Sequence, residues 1–399
     1  MQKQTITKPG YKFITHLGEI PEDWISKELN EVIKFMPKTG RPATEGYPYG
    51  LEKKYIFLKS GEWDNLYTDK YDFDGEYISI GDGGSANIHY VNGKFGVSGH
   101  NYVFNSINPN ILNNSLLYHY LFFRKNHWGI LYKGVGIKNI SKTDIEGIKI
   151  GFSKSLIEQQ KIAKILNTCY NQIEITKQII QKIELRNKGL QLQLLNGKVR
   201  LPGFSEKWHT LELDECLNYS PRPVDKPSEN FFALGVRSHG KGLFHKNDFD
   251  PEDIAIDILY EVKEDDLIVN ITFAWEQAIA IANKKDDGGL VSHRFPTYTF
   301  KLDKAIHRYF RYLIIQKKFK YMLDQISPGG AGRNRVLSKK DFLKLEVKIP
   351  KVEEQKAIAD VLDKATEQLN EYKEKLAKLE LQKKGLMQQL LTGKTRVKI

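Results

Sequence analysis

Several short turns of the chain carry side chains that could bind the bases and phosphates of a nucleic acid. In the second half, "VRSHGKG", "VSHRF" and "SPGGAGRNR" place Arg, His, Lys, Ser and Asn beside glycine or other small residues, and "GKFGVSGHNY" does so in the first half. Arginine and asparagine form bidentate hydrogen bonds with guanine and adenine in the major groove, whereas lysine mostly contacts phosphate. The residues that we predict to bind DNA are Lys94, Ser98, His100, Asn101, Lys133, Lys138, Arg237, His239, Lys241, Ser292, His293, Arg294, Arg333, Asn334 and Arg335.

The motifs that resemble catalytic sites are incomplete. "TGKT" at 392–395 is similar to the end of a phosphate-binding loop, but Gln388 stands where that loop needs glycine. The chain has no Pro-Pro pair, which the Asx-Pro-Pro-aromatic motif of adenine methyltransferases requires. The "EVK" triplets at 261–263 and 346–348 lack the Pro-Asp partner of a metal-dependent nuclease, and the histidines of the turns lack metal-ligand spacing. We therefore predict no catalytic residue and no metal site.

The composition is that of a globular protein with an affinity for polyanions. The chain has 399 residues, 40% of them hydrophobic and 28% charged, and a net charge of +12. An excess of positive charge favours binding to nucleic acid. No apolar run has the length of a signal peptide core or of a membrane span, so we expect a cytoplasmic protein without membrane contact. We interpret the two cysteines, Cys169 and Cys216, as small buried residues.

An internal repeat must position these turns. Residues 158–200 align without a gap with residues 354–396, and about 19 of the 43 positions are identical. Each copy has apolar residues at heptad spacing, which predicts a coiled-coil helix that ends at Gly197 or Gly393. We call the apolar positions the helix seam. They are Ile162, Leu166, Ile173, Ile180, Ile183, Leu190 and Leu194 in the first copy, and Ile358, Leu362, Leu369, Leu376, Leu379, Leu386 and Leu390 in the second.

Each predicted helix is too long to be buried by a small domain alone. At 1.5 Å per residue it measures roughly 55–60 Å, so its seam needs a partner. The simplest partner is the other copy, in an antiparallel coiled coil with a pseudo-twofold axis. The alternative is that each helix packs against an unrelated partner.

The remaining segments predict two globular domains. A tryptophan, Trp24 or Trp208, begins a similar strand-like stretch before each copy of the helix, although the globular segments share little sequence. We predict an α+β fold with two mixed α/β domains separated by the long helices. The predicted division is residues 1–156 for the first domain, 157–197 for the first helix, 198–351 for the second domain and 352–394 for the second helix.

The helix motifs resemble one protein family. The helix openings "IEQQKIAKIL" and "EEQKAIADVL" and the junction "LLNGKVRLPGFSEKW" resemble those of the specificity subunits of bacterial type I restriction-modification systems. The resemblance covers essentially the whole chain. "NITFAWEQAIAIA" also resembles the second target-recognition domains of that family, although many members have glycine where Gln277 stands here. Recognition domains vary within the family, so base contacts do not carry over from it.

The resemblance implies a DNA-binding subunit that is not itself an enzyme. Each domain would recognise one half of a bipartite, asymmetric double-stranded DNA site, and the helices would set the spacing. Two methylation subunits and the restriction subunits would be the partners, and they would hold S-adenosylmethionine, ATP and Mg, so we expect no cofactor on this chain. The alternatives are a coiled-coil nucleic-acid-binding adaptor and an enzyme with a dispersed nuclease or methyltransferase site.

Overall fold

The computed structural model describes residues 7–48, 54–61, 66–85, 87–327 and 335–398. The chain divides into two compact units. The first unit consists of Met1–Gln178 and Glu374–Ile399, and the second of Ile179–Lys373. Each unit therefore contains one globular domain and one half of each long helix. Among the described helices, none is both long and apolar enough to cross a membrane.

The first unit is built on a mixed seven-stranded sheet. The sheet has the order β4-β10-β8-β9-β6-β7-β5. The strands are β1 (Tyr11–Ile14), β2 (Gly18–Pro21), β3 (Trp24–Glu28), β4 (Ile33–Phe35), β5 (Tyr47–Pro48), β6 (Tyr55–Leu58), β7 (Leu66–Thr68), β8 (Phe73–Gly81), β9 (Ile88–Val97), β10 (Asn101–Ser106) and β11 (Lys149–Ser153). The helices are α1 (Asn114–Phe123), α2 (Lys125–Trp128), α3 (Lys142–Glu146) and α4 (Leu156–Leu195), of which α4 continues into the second unit.

Strand β8 forms a long antiparallel hairpin with β9, in which Phe73 pairs with Phe95 at the open end and Ile80 pairs with Ile88 at the turn. Alternate side chains leave opposite faces of a strand. Ile78 and Ile80 accordingly belong to the core that contains α1 and the long helices, whereas Phe95 belongs to a smaller cluster. The hairpin thus separates the turn that begins at Asp82 from the open end, where Phe73 pairs with Phe95.

The second unit contains two larger sheets and a short two-stranded one. Their orders are β13-β21-β18-β19, β14-β17-β20-β15-β16 and β12-β22. The strands are β12 (His209–Glu212), β13 (Leu217–Tyr219), β14 (Pro223–Asp225), β15 (Phe231–Val236), β16 (Leu243–Phe249), β17 (Ile258–Glu261), β18 (Leu267–Val269), β19 (Ile279–Ile281), β20 (Leu290–Val291), β21 (Thr297–Phe300) and β22 (Glu346–Ile349). The helices are α5 (Leu213–Cys216), α6 (His307–Leu313), α7 (Lys317–Gln325), α8 (Lys339–Leu343) and α9 (Val352–Leu390).

The long helices α4 and α9 end where the sequence places glycine. Gly197 and Gly393 have φ angles of 70° and 68°, in the left-handed region that stops a helix. Every predicted seam side chain is buried or half-buried. The heptad spacing therefore identifies the buried face of both helices correctly.

Within each unit the two helix halves run antiparallel. In the first unit, the Cys169 thiol lies 3.9 Å from the carbonyl oxygen of Leu379, and the Lys161 ammonium donates to the carbonyl of Lys398. In the second unit, Asn187 donates to the carbonyl of Ala365 at 2.7 Å, and Arg200, which follows α4, donates to Glu354 at the start of α9 at 2.6 Å. Because residue numbers rise on one helix as they fall on the other, the pairing is antiparallel in both units.

Two polar residues interrupt the seam at the same position of the repeat. Asn187 is buried and bonds to a backbone carbonyl, as described above. The Lys383 ammonium lies over the rings of Phe122 and Tyr170, 4.5 and 4.9 Å from their centroids, and burial lowers its pKa. A polar residue in a coiled-coil core commonly fixes the register of the helices, so both positions favour one alignment.

Candidate nucleic-acid interface

Residues 271–277, which we call the central segment, hold the predicted turns of the second unit together. The backbone amide of Ile271 donates to the carbonyl of Arg294 at 3.0 Å, and its carbonyl accepts from Leu337 at 2.9 Å. The Arg294 guanidinium donates to the Thr272 hydroxyl at 3.3 Å. The "VSHRF" turn and the chain that follows "SPGGAGRN" therefore lie on either side of the central segment.

The "VRSHGKG" turn packs against the other end of the central segment. The amides of His239 and Gly240 donate to the carbonyls of Glu276 and Gln277 at 2.7 and 2.9 Å. The Ser238 hydroxyl donates to the Glu276 carboxylate at 2.6 Å. His239 has a φ of 64°, which this network stabilises. Turns that are far apart in the sequence are therefore assembled on one structural element.

The basic side chains of this cluster remain exposed at the surface. His239, Lys241, His293 and Arg294 are exposed, and Ser292 is half-buried. Arg237 is also exposed; its guanidinium donates to the carbonyl of Leu243 and lies over the ring of Phe244. These contacts orient the arginine while leaving its charge accessible.

The structure describes only part of the predicted basic turn "SPGGAGRNR". The Arg335 guanidinium pairs with Asp324 at 2.7 Å and lies 5.3 Å from the ring centroid of Trp275 in the central segment. Arg333 and Asn334 lie outside the described residues. Arg335 therefore lies beside the same cluster, but it is already paired with a carboxylate.

Gln277 adopts a left-handed backbone conformation that favours glycine. Its φ is 62°, a left-handed conformation that costs a side chain energy. The buried amide donates to the carbonyls of Ile314 and Gln316 at 2.8 and 3.3 Å. These two hydrogen bonds offset the strain and explain how this chain departs from glycine without losing the turn.

Sequence reasoning missed two residues of the central segment. Phe273 is 38% exposed between the basic turns, and the half-buried Glu276 has a carboxylate that could accept from cytosine. Apolar and acidic residues gave no signal in a search for basic donors. Their positions become significant only when the fold brings the turns together.

In the first unit, Asp82 organises a second basic cluster. Its amide donates to the carbonyl of His100 at 3.0 Å, and its carbonyl accepts from Ile140 at 2.9 Å. The Asp82 carboxylate lies 2.6 Å from the Lys38 ammonium and 3.4 Å from the His100 imidazole. The amide of Gly84 donates to the carbonyl of Lys138 at 2.8 Å. His100 and Lys138 are thus brought together with Lys38, which sequence reasoning missed.

The other predicted residues of the first unit are placed differently. Lys133 is exposed and belongs to the loop that contains Lys138. Lys94 lies over the ring of Tyr71 near the open end of the β8–β9 hairpin, away from the Asp82 turn. Ser98 and Asn101 are 1% and 2% exposed, and the Asn101 amide donates to the Ser98 hydroxyl at 2.9 Å. This burial argues against direct DNA contact by Ser98 and Asn101 and indicates a structural role.

The residues that look catalytic form ordinary surface contacts. In the second "EVK" triplet, Glu346 and Lys348 are exposed on β22. In the first, Lys263 pairs with Glu261 at 2.5 Å, and this contact raises the pKa of the lysine. Within the described ranges, no group of three or more His, Cys, Asp and Glu side chains could hold a metal ion.

In each unit, an arginine forms two hydrogen bonds with a buried glutamate, and we call this pair the arginine clamp. In the second unit, Arg200 makes two hydrogen bonds of 2.6 Å with Glu354, which also accepts from the Trp208 indole at 3.3 Å. In the first unit, Arg396 makes the equivalent pair with Glu158, at 2.5 and 2.7 Å. Each clamp joins the start of one long helix to the residues that follow the other.

The clamp of the first unit has an additional carboxylate. Arg396 also donates twice to Asp23, at 2.9 and 2.8 Å. Hydrogen bonding to Arg396 lowers the pKa of Asp23, and the two carboxylates raise the pKa of the arginine. Asp23 precedes Trp24, so the clamp also holds the strand that begins with that tryptophan.

A buried glutamine follows each clamp glutamate and attaches the helix to its globular domain. The Gln159 amide donates to the carbonyls of Ile111 and Ser153 at 2.7 and 2.8 Å. The Gln355 amide donates to those of Lys304 and Pro350 at 2.8 and 2.9 Å. The identical residues of the repeat therefore include those that join helix to domain, which explains why the helix ends are repeated most closely.

Comparisons with known proteins agree with this duplicated architecture. The model of a family described as "Type I restriction modification DNA specificity domain" matches residues 21–185 and 244–381. The type I restriction enzyme MjaVIII specificity subunit of Methanocaldococcus jannaschii is 27% identical, over 96% of this chain and 95% of that protein. The putative MjaX specificity subunit of the same organism is also 27% identical, over 96% of both chains.

A solved structure shows the same fold. The S subunit of a type I restriction-modification system from M. genitalium matches with a TM-score of 0.67 and 17% sequence identity. The match covers 96% of this chain and 99% of that one. The duplicated pattern of globular domain and long helix thus extends to a chain with little sequence identity.

Proposed function

The chain belongs to the family of type I restriction-modification specificity subunits, and we propose that each of its units recognises one half of a bipartite, asymmetric site in duplex DNA. The observation that carries this proposal is the assembly of basic turns on the central segment. Arg237 and His239 lie in one turn and Arg294 lies in another, far along the sequence, yet both turns form hydrogen bonds with the central segment. The side chains of all three residues are exposed. Such clustered donors suit the recognition of base edges and phosphates.

The first unit supports the same role through a different set of residues. The Asp82 turn gathers Lys38, His100 and Lys138, in a domain with its own hydrophobic core. Because the two clusters differ in sequence and geometry, they would recognise different bases. Two different half-sites make the complete site asymmetric.

We propose that the chemistry belongs to partner subunits. This chain would act without a catalytic residue or cofactor of its own. Two methylation subunits and the restriction subunits would bind S-adenosylmethionine, ATP and Mg and act on the cytoplasmic DNA that the chain selects. The chain's contribution is then the positioning of those enzymes at one sequence.

A methyl-transfer assay tests this division of labour. The purified chain is incubated with labelled S-adenosylmethionine and host DNA that lacks modification, with and without the methylation subunits. We expect label in DNA only when those subunits are present, at the adenine motifs that sequencing of the host methylome defines. Methyl transfer by the chain alone would support the alternative of a dispersed methyltransferase site.

A further inference from the structure

Residues 133–139 of the first unit form a narrow, exposed loop, which we call the Val135 loop. The amide of Lys133 donates to the carbonyl of Asn139 at 2.8 Å, and the amide of Asn139 returns a bond of 2.9 Å to Lys133. Gly134 and Gly136 have φ angles of 141° and 85°, which allow the chain to turn between these two bonds. The loop is therefore closed at its base by backbone hydrogen bonds.

The tip of the loop presents two apolar side chains to solvent. Val135 is 106% exposed and Ile137 is 74% exposed. Apolar surface is more stable when it is removed from water, so these side chains gain nothing from their position in the free protein. On a closed loop, both side chains are therefore available to contact a bound molecule.

The base of the loop is continuous with the basic cluster around Asp82. The carbonyl of Lys138 accepts from Gly84, and the amide of Ile140 donates to the carbonyl of Asp82. Lys133 and Lys138 are exposed on either side of the apolar tip. Val135 and Ile137 are thus flanked by positive charge. This arrangement is complementary to a ligand that has an apolar group between two rows of phosphates.

We propose that the Val135 loop enters the DNA major groove at the first half-site, where Val135 and Ile137 contact the C5-methyl group of thymine. This inference rests on the proposed function. The major groove is about 12 Å wide, and the thymine methyl is the apolar group that base pairs present there. The two lysines contact the phosphates on either side of the groove. The loop therefore selects an A·T pair in the half-site that the first unit recognises.

The test compares thymine with uracil, which lacks only the methyl group. The full-length chain with its methylation subunits is titrated with fluorescent duplexes that carry the site defined by the host methylome. In each duplex one thymine of the site is replaced by deoxyuridine. We expect one replacement in the first half-site to weaken binding roughly three- to fivefold, the effect of removing one buried methyl group.

Two variants make the result specific to the loop. The double variant Val135→Ser and Ile137→Ser should bind the thymine and uracil duplexes with equal affinity. The control Ile107→Ser removes an apolar side chain that is 58% exposed at the other end of β10 from His100, and it should keep the discrimination. All three changed side chains are on the surface, so folding should be preserved.

The outcomes separate this inference from the proposed function. If the chain binds cognate and random duplexes equally, the proposed function fails before uracil is introduced. If the cognate duplex is preferred but no uracil replacement affects the unmodified chain, the inference is wrong. The inference is also wrong if the double serine variant still distinguishes thymine from uracil. It is wrong as well if that variant only loses its binding to the methylation subunits, since the loop would then contact protein instead of DNA.

Discussion

Arg200 and Arg396 occupy the same position of the repeat, and each pairs with a glutamate at the start of the opposite long helix. Glu354 and Glu158 are only 3% and 1% exposed, so neither carboxylate is solvated. A buried charge is costly unless it is paired and hydrogen-bonded. At the level of single residues, the clamps therefore stabilise both junctions between helix and domain.

Removal of one clamp arginine should destabilise the protein. We expect Arg396→Ala to lower the free energy of unfolding by about 1–3 kcal/mol, because the buried carboxylate of Glu158 would lose its hydrogen-bond partner. Urea denaturation of the full-length chain measures this. Arg186→Ala is the control, since that exposed arginine on α4 bonds mainly to Asn187 and Gln368. A loss no larger than that of the control would contradict the role of the clamp.

His119 predicts a specific dependence of stability on pH. It is 1% exposed, its Nε2 bonds to Asn167 at 2.7 Å, and its Nδ1 has no hydrogen-bond partner in the part of the chain that the structure describes. Burial lowers the pKa of His119 from 6.5 to about 4, and the Lys383 ammonium adds to this effect. His119 therefore binds a proton more readily in the unfolded chain than in the folded one. Its neutral form leaves the free energy of unfolding undiminished above pH 6.5, and protonation of the unfolded chain reduces that free energy as the pH falls from 6.5 towards 4.

The variant His119→Gln isolates this contribution. It keeps a donor for Asn167 but does not titrate, so it should lose less stability on acidification than the unmodified chain. We expect the difference between pH 7 and pH 5 to be about 2 kcal/mol. Denaturant midpoints of both proteins at the two pH values provide the measurement. Parallel pH profiles would show that His119 does not titrate in this way.

At the level of secondary structure, the long helices were the most predictable elements. Heptad spacing identifies their buried face, and Gly197 and Gly393 mark their ends. The partners of the short turns could not be predicted in this way. Ser98 and Asn101 have the composition of an exposed turn, yet they bond to each other in the interior. Only long-range contacts decide whether such a side chain faces solvent.

An insertion tests whether the helices set the spacing of the half-sites. Helix α4 passes from the first unit to the second between Gln178 and Ile179. Four residues inserted between Gln178 and Lys182 should lengthen the helix by about 6 Å and disturb the seam register. We expect a changed gap between half-sites whose bases stay the same, as read from the methylome of a host with this variant. Altered bases with an unchanged gap would exclude a spacing role.

At the level of the whole molecule, the duplication predicts that the end of the first repeat can take the place of the end of the second repeat in the helix pair. In the first unit, the first half of α4 packs against the second half of α9, and Arg396 binds Glu158. A fragment of residues 1–200 lacks α9 but contains the equivalent sequence in residues 178–200, which comprise the second half of α4 and the residues up to Arg200. A second copy of the fragment could therefore supply the missing seam and clamp.

We expect this fragment to form a twofold dimer in which Arg200 of each copy replaces Arg396. Sedimentation should show a concentration-dependent dimer that Arg200→Ala weakens. With methylation subunits present, the dimer should direct modification to a palindrome built from the first half-site and its inverted repeat. A folded fragment that stays monomeric at micromolar concentration, or one that keeps an asymmetric site, would show that the repeat is not a pairing element.

The recognition of one half-site by each unit is tested most directly by a single competition experiment. The full-length chain with its methylation subunits is bound to the cognate duplex at physiological salt, and four competitors are compared: the cognate duplex, two duplexes with one half-site scrambled, and a random duplex. Arg294→Ala should weaken the free energy of binding to the cognate duplex by about 1–3 kcal/mol. On a duplex whose second-unit half-site is scrambled, the variant and the unsubstituted chain should bind equally. Scrambling either half should weaken binding by the unmodified chain. Equal affinity for the cognate and random duplexes would contradict the account.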